Sequence, residues 1–273
     1  MKLSLPLLRR KPAPAIAAPT HPEERDPETG TPWEPSVPAG LSGHMPDTAV
    51  PRSATVLERS RGVRVTEADR VIYQAASLLL DYPDDQLLAD LPVIRAAIEE
   101  GASGPAARHL LAVVEYLEQV PLQAAQFSYV ETFDLRRRCC LHLTYYAYGD
   151  TRRRGMALLD IKQAYQRCGA TLAEDELPDH LCVALDFAAS VDGAVGRTLL
   201  LDHRPGLELL RISLTDRQSP YAHAIEAVTC TLPALAGQDR DTVRSLIASG
   251  PPDEQVGMEA FVSGSHAASG ARV

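Results

Sequence analysis

From Thr66 onward, apolar residues recur at intervals of three and four. Thr66-Glu67-Ala68-Asp69 reads as an N-cap with acids in the first turn, and Val71, Ile72, Ala75, Leu78 and Leu79 then share one helical face. Pro83 ends that helix. Short helices are expected over 84–90 and 92–100, with Gly101 and Gly104 as punctuation. Pro105 opens the next, which carries Leu110, Leu111, Val114 and Leu117 on one face. Pro121 opens another, running through Phe127, Val130 and Phe133. Gly149-Asp150-Thr151 is a turn before a long helix through Met156, Leu158, Leu159, Ile161 and Tyr165, and Gly169 suits its end. Pro178 is placed near the first turn of the following helix. Further helices fit 199–202 with the segment before it, 206–216, 221–235 and 241–248. No run of β-branched residues alternates with polar ones between hairpin turns. The expected fold is all-α: an irregular single-domain bundle of about ten helices.

Outside that region the periodicity is absent. Residues 1–65 are rich in Pro, Ala, Ser and Thr, and are expected to form a disordered arm. Residues 66–248 form the helical domain, and the Gly- and Ser-rich stretch 249–273 is expected to be a flexible tail. The basic start contains Arg9-Arg10, but PAPAIAAPTHPEE follows, so no apolar signal core forms. No apolar run has the roughly 20 residues needed to span a bilayer. The expectation is therefore a cytoplasmic protein without stable membrane insertion.

Charge narrows the partners. Residues 1–65 hold nine Lys or Arg and seven Asp or Glu, a balance of +2, which leaves −11 of the total −9 on the remainder. An acidic body disfavours nucleic acid, whose binding rests on neutralising phosphates, and favours a basic or neutral partner. The five cysteines include no C-x-x-C pair, so free thiols are expected, without a disulfide framework or a zinc knuckle.

Phosphate loops, dinucleotide fingerprints, H-E-x-x-H and G-x-S-x-G are all absent. Two polar segments stand out. In Tyr129-Val130-Glu131-Thr132-Phe133-Asp134, helical spacing puts Glu131 and Asp134 on one face, and Asp134 within reach of Arg137 and Arg138. This reads either as local ion pairing or as an acidic site for a basic peptide, with Phe127, Val130 and Phe133 supplying apolar contact. In Glu176-Leu177-Pro178-Asp179-His180, the acids fit the first turn of a helix, and His180 is a hydrogen-bonding or pH-sensitive neighbour. Glu131, Asp134, His142, Asp179 and His180 could be assembled into a carboxylate–histidine cluster of the kind a metal-dependent helical hydrolase would use. A di-iron bundle needs Glu-x-x-His, however, and the residues three after Glu131 and Glu176 are both aspartate. Neither a metal nor a catalytic residue is therefore expected.

Y-V-E-T-F-D at 129–134, L-H-L-T-Y-Y-A-Y-G-D-T-R-R-R-G at 141–155, A-E-D-E-L-P-D-H-L at 173–181 and L-L-L-D-Y-P-D at 78–84 resemble the nitrate reductase molybdenum cofactor assembly chaperones. These are the delta subunits of respiratory nitrate reductase operons, within the redox-enzyme maturation chaperones. The resemblance covers residues 66–200 and implies an all-α chaperone, not an enzyme. Its implied partner is the N-terminal segment of the nitrate reductase catalytic (alpha) subunit, within the alpha-beta complex. It implies assisted insertion of the molybdenum bis-guanine-dinucleotide cofactor and an iron–sulfur cluster into that client, with no cofactor held permanently. Carried over by position, the client-binding residues would be Tyr129, Glu131, Phe133, Asp134, Glu176, Pro178, Asp179 and His180. Relatives often have E-P-x-D-H, whereas proline here stands directly before Asp179.

Overall fold

The structure, a computed structural model, describes residues 55–173, 176–235 and 237–249. Their α-helices are α1 (Val56–Arg59), α2 (Glu67–Leu79), α3 (Asp85–Gly101), α4 (Gly104–Gln119), α5 (Leu122–Tyr129), α6 (Tyr145–Tyr148), α7 (Arg152–Arg167), α8 (Leu181–Ser190), α9 (Gly193–Asp202), α10 (Arg204–Asp216), α11 (Ala222–Cys230) and α12 (Gly237–Ser249). A π-helical turn, Val130–Asp134, continues α5, and a 3₁₀ turn, Arg137–Cys139, follows it. Among the described residues, extended pairing is limited to one antiparallel bridge between His142 and His180. The all-α expectation holds.

Helix α2 is the central strut. Thr66 caps it through Asp69 N–H, and Asp69 returns the bond to Thr66 N–H, closing a capping box. Ala75, Ala76 and Ser77 are small and buried, so α2 can approach α3, α4, α8 and α11 closely. Tyr73 and Ser77 bring hydroxyls into this core, and both are bonded: Tyr73 to Thr231 Oγ1 at 2.9 Å, and Ser77 to the Cys182 carbonyl at 2.7 Å. Buried hydroxyls without such partners would cost stability.

Helix α8 is buried on almost every side. Leu181, Cys182, Ala184, Leu185 and Ala188 join the main core around α2. Val183 and Phe187 turn the other way, into a second apolar cluster with Ile161, Ala164, Tyr165, Val195 and Leu199. There the Tyr165 and Phe187 rings stack at 4.1 Å. Gly196 lets α9 lie directly against Ala188, where a Cβ would come within 2.5 Å of backbone.

Three expectations are corrected. The segment 84–100 is one helix, because Pro92 sits on its exposed face, where water can satisfy the carbonyl that proline leaves unpaired. The body begins before residue 66: Thr55 caps α1 in a capping box, Val56 and Leu57 pack on the second cluster, and Arg59 pairs with Asp202 at 2.6 Å. The expected arm 1–65 thus overlaps the body over 55–65, while residues 1–54 and 250–273, with most of the expected tail, lie outside the described residues. Pro178 lies in a turn before α8, whose N-cap is His180, so Glu176 and Asp179 are not first-turn acids.

Candidate functional site

Helix α5 and its π-turn set up the first polar segment. Leu135 N–H bonds to the Val130 carbonyl at 3.2 Å, five residues back, which widens the turn by one residue. That spacing sends Tyr129, Thr132 and Phe133 inward, and leaves Phe127, Glu131, Asp134 and Leu135 on the outside. The inner residues lock into an aromatic knot. Tyr129 meets Phe133 at 4.8 Å, Tyr82 at 5.5 Å and Tyr221 at 5.8 Å between centroids, and its hydroxyl donates to the Leu80 carbonyl at 3.1 Å. Burial holds the Tyr129 phenol well above its ordinary pKa, so it remains a neutral donor.

The outer face is chemically mixed. Phe127 is 71% exposed and Leu135 is 68% exposed. Exposed Glu131 and Asp134 lie between them along the chain, and Glu131 is 4.0 Å from Arg136. Partial burial raises the Asp134 carboxyl above its ordinary value. The helical spacing that would set Asp134 against Arg137 and Arg138 stops at Leu135, where the chain leaves the helix. The expected apolar partners are also revised: Phe133 is buried and Val130 half-buried, so Phe127 and Leu135 carry the exposed apolar surface.

The second segment forms a clamp. The bridge at His142 and His180 consists of Leu143 N–H to the Asp179 carbonyl at 2.9 Å and Leu181 N–H to the Leu141 carbonyl at 2.7 Å. It delivers the Asp179 side chain, fully buried, to four donors. His142 Nδ1 lies 3.1 Å from Oδ1; Thr144 approaches Oδ2 with its N–H at 3.3 Å and also with its hydroxyl; Arg154 Nη2 is 3.6 Å from Oδ2. Arg154 Nε also donates to Thr144 Oγ1 at 3.2 Å. Burial by itself would raise the Asp179 pKa, but the bonds from His142 and Thr144 and the charges of His142 and Arg154 outweigh it and pull the carboxyl down to about 2. An ionised carboxylate only accepts, so His142 carries its proton on Nδ1. Tyr165 completes the clamp by donating to the Pro178 carbonyl at 3.0 Å.

Of the residues expected to contact a client, Tyr129, Phe133, Pro178 and Asp179 are buried inside the bundle. Glu131 and Asp134 are exposed, and Glu176 and His180 are half-buried. Sequence reasoning missed Thr144 and Arg154, whose part depends on a fold that joins segments far apart in the chain. The set Glu131, Asp134, His142, Asp179 and His180 does not converge: among the described residues, the one group of potential ligand atoms that does is His109, His223 and Glu226. A shallow cleft of about 500 Å³ lies between Val63–Thr66 and Val191–Ala194, and none of the expected client-binding residues lines it.

Fold and surface together define an all-helical bundle that presents a mixed apolar and acidic helix face braced by a buried aromatic knot. Comparison with known proteins specifies the class further. The profile of the nitrate reductase delta subunit family matches residues 99–227. The nitrate reductase molybdenum cofactor assembly chaperone NarJ of Bacillus subtilis is 31% identical over 163 residues, covering 60% of this chain and 89% of NarJ. NarJ of Escherichia coli K12 is 34% identical over 149 residues, covering 54% of this chain and 63% of its own length. The nitrate reductase-like protein NarX of Mycobacterium tuberculosis H37Rv is 41% identical over 161 residues, 59% of this chain, and the match spans 24% of NarX. A solved redox enzyme maturation protein from Archaeoglobus fulgidus superposes with a TM-score of 0.47 at 24% identity, covering 62% of this chain and 97% of that one. The chain belongs to the nitrate reductase delta subunit family.

Proposed function

We propose that this protein is an assembly chaperone for a nitrate reductase. It binds the N-terminal segment of the catalytic subunit, and holds that subunit while molybdenum cofactor and an iron–sulfur cluster are inserted, before membrane attachment. Family membership supports the chaperone role, and the relatives named NarJ are molybdenum cofactor assembly chaperones. In this reading the protein works in the cytoplasm, performs no catalysis and retains no cofactor. Among the described residues no helix is long and apolar enough to cross a membrane.

The observation that carries the reading is the outer face of α5 and the π-turn. Two large apolar side chains exposed beside two carboxylates fit a segment carrying both apolar and basic residues. Burying a side chain such as Phe127 or Leu135 against a client would contribute about 2 kcal/mol each. The carboxylates would add salt-sensitive attraction. Glu176 and His180 form a second, half-buried contact on the clamp.

Calorimetric titration of the full chain with a peptide of the catalytic subunit's N-terminus, in low salt, tests this. Binding at tens of micromolar or tighter is expected, weakened in Glu131→Gln and Asp134→Asn with a shallower salt dependence. Absence of binding, or unchanged affinity and salt slope in both variants, would refute the assignment.

A further inference from the structure

His109 on α4 meets His223 and Glu226 on α11. His109 Nδ1 lies 3.1 Å from His223 Nδ1 and 3.1 Å from Glu226 Oε2, and His223 Nδ1 lies 2.9 Å from the same oxygen. Three atoms capable of donating lone pairs thus form a nearly equilateral triangle. The imidazole rings lie face to face, with centroids 5.2 Å apart and planes 29° from parallel. A triangle is a poor hydrogen-bond network, because an N–H directed at one corner is misaligned with the other. It is a good metal face. Ligands about 2.05 Å from a tetrahedral zinc lie about 3.3 Å apart, so the corners need to open by only a few tenths of an ångström.

We propose that His109, His223 and Glu226 form a binding site for a zinc-class divalent cation that joins α4 to α11. Two imidazoles and one carboxylate are borderline donors suited to zinc or cobalt, unlike the all-oxygen shells preferred by magnesium. All three side chains are partly exposed, at 30%, 45% and 21%, so an ion can enter from solvent. The other carboxylate oxygen of Glu226, Oε1, lies 3.9 Å from Arg211 Nη1, a long ion-pair contact, and Arg211 Nη2 is paired with Glu208 at 2.5 Å. The Arg211 charge near the site is therefore largely balanced by Glu208. Three protein ligands leave a fourth position for water or for a donor from a partner.

The test uses the full-length, untagged, metal-stripped chain. Calorimetry with Zn²⁺ should show one site per chain, and Co²⁺ should give the visible absorption of tetrahedral coordination without a thiolate charge-transfer band. Glu226→Gln, close to isosteric, and His223→Ala, at a half-exposed position, should each weaken Zn²⁺ binding by at least about tenfold. Cys230→Ser should leave binding unchanged, and Mg²⁺ should neither bind nor raise the melting temperature. Thermal melts establish that each variant is folded. Zn²⁺ affinity that is absent, or equal in wild type, Glu226→Gln and His223→Ala, or lost only in Cys230→Ser, would overturn the proposal.

Discussion

Replacing Asp179 by Asn keeps the shape of the clamp and removes its charge. In the folded chain this carboxyl is fully buried and its pKa lies at about 2, against an ordinary value of 3.8. At about 1.4 kcal/mol per pKa unit, that difference amounts to about 2 kcal/mol favouring the folded state. Because the folded pKa is the lower one, this contribution is fully present above about pH 4. It drains away as pH falls through about 2. The variant loses more than this at neutral pH. Asparagine presents an amide N–H₂ to a shell of donors, and Arg154 and Thr144 lose a charged acceptor. Breaking a buried pair of this kind costs about 3 kcal/mol. For a body of this size that corresponds to a melting temperature lower by about 6–12 °C. Melts followed by circular dichroism, from neutral pH down to about pH 2, give both quantities. The wild type should lose stability through the acid range faster than Asp179→Asn, so that the gap narrows by about 2 kcal/mol. A variant melting within about 1 °C of wild type at neutral pH, or a gap that stays constant on acidification, would refute the account of the clamp.

Other perturbations separate surface from scaffold. Gly196→Ala puts a methyl group 2.3 Å from the Ala188 Cβ and 2.5 Å from its Cα, so α9 must move off α8. A loss of about 1–3 kcal/mol in denaturant unfolding is expected. Phe127→Ser should change stability by less than about 0.5 kcal/mol, since the ring is 71% exposed, yet weaken client-peptide binding in titration. Tyr129→Phe removes the bond to the buried Leu80 carbonyl and should cost about 1–2 kcal/mol while retaining peptide binding. In a thiol-labelling time course, exposed Cys230 should react first, whereas Cys139 and Cys182 should react only on unfolding.

What could be read from the sequence was what short-range chemistry decides. The Thr66 cap, the start at Pro105 and the end at Gly169 each depend on residues within one turn, and each stands in the structure. Pro92 misled because its effect depends on which face it occupies, and that is set by helices elsewhere in the chain. The four-residue α1 has too little pattern to read, and gains its place from Val56, Leu57 and the Arg59–Asp202 pair. The acids at 176–179 fitted a helix start, but Asp179 went inward because the strand-like bridge to 142 presented it with four donors. Helical spacing gives Glu131 and Asp134 a common face, but the π-turn, which no local pattern announces, changes which apolar residues accompany them. His223-x-x-Glu226 is visible in the sequence, but its partner His109 comes from a helix 114 positions away.

The bridge between His142 and His180 has a topological consequence. Contacts 37 positions apart pinch the chain at a neck, so that α6 and α7 belong to an excursion whose two ends already meet. Tyr146 of α6 joins the main core and Ile161, Ala164 and Tyr165 of α7 join the second cluster, yet an insertion between these packed residues leaves the two ends of the excursion paired. Doubling its length would raise the closure entropy by only about 0.6 kcal/mol. The neck also means that a single backbone cut inside the excursion leaves its two sides joined by the Asp179 carboxylate and by the Leu141 and Asp179 carbonyls.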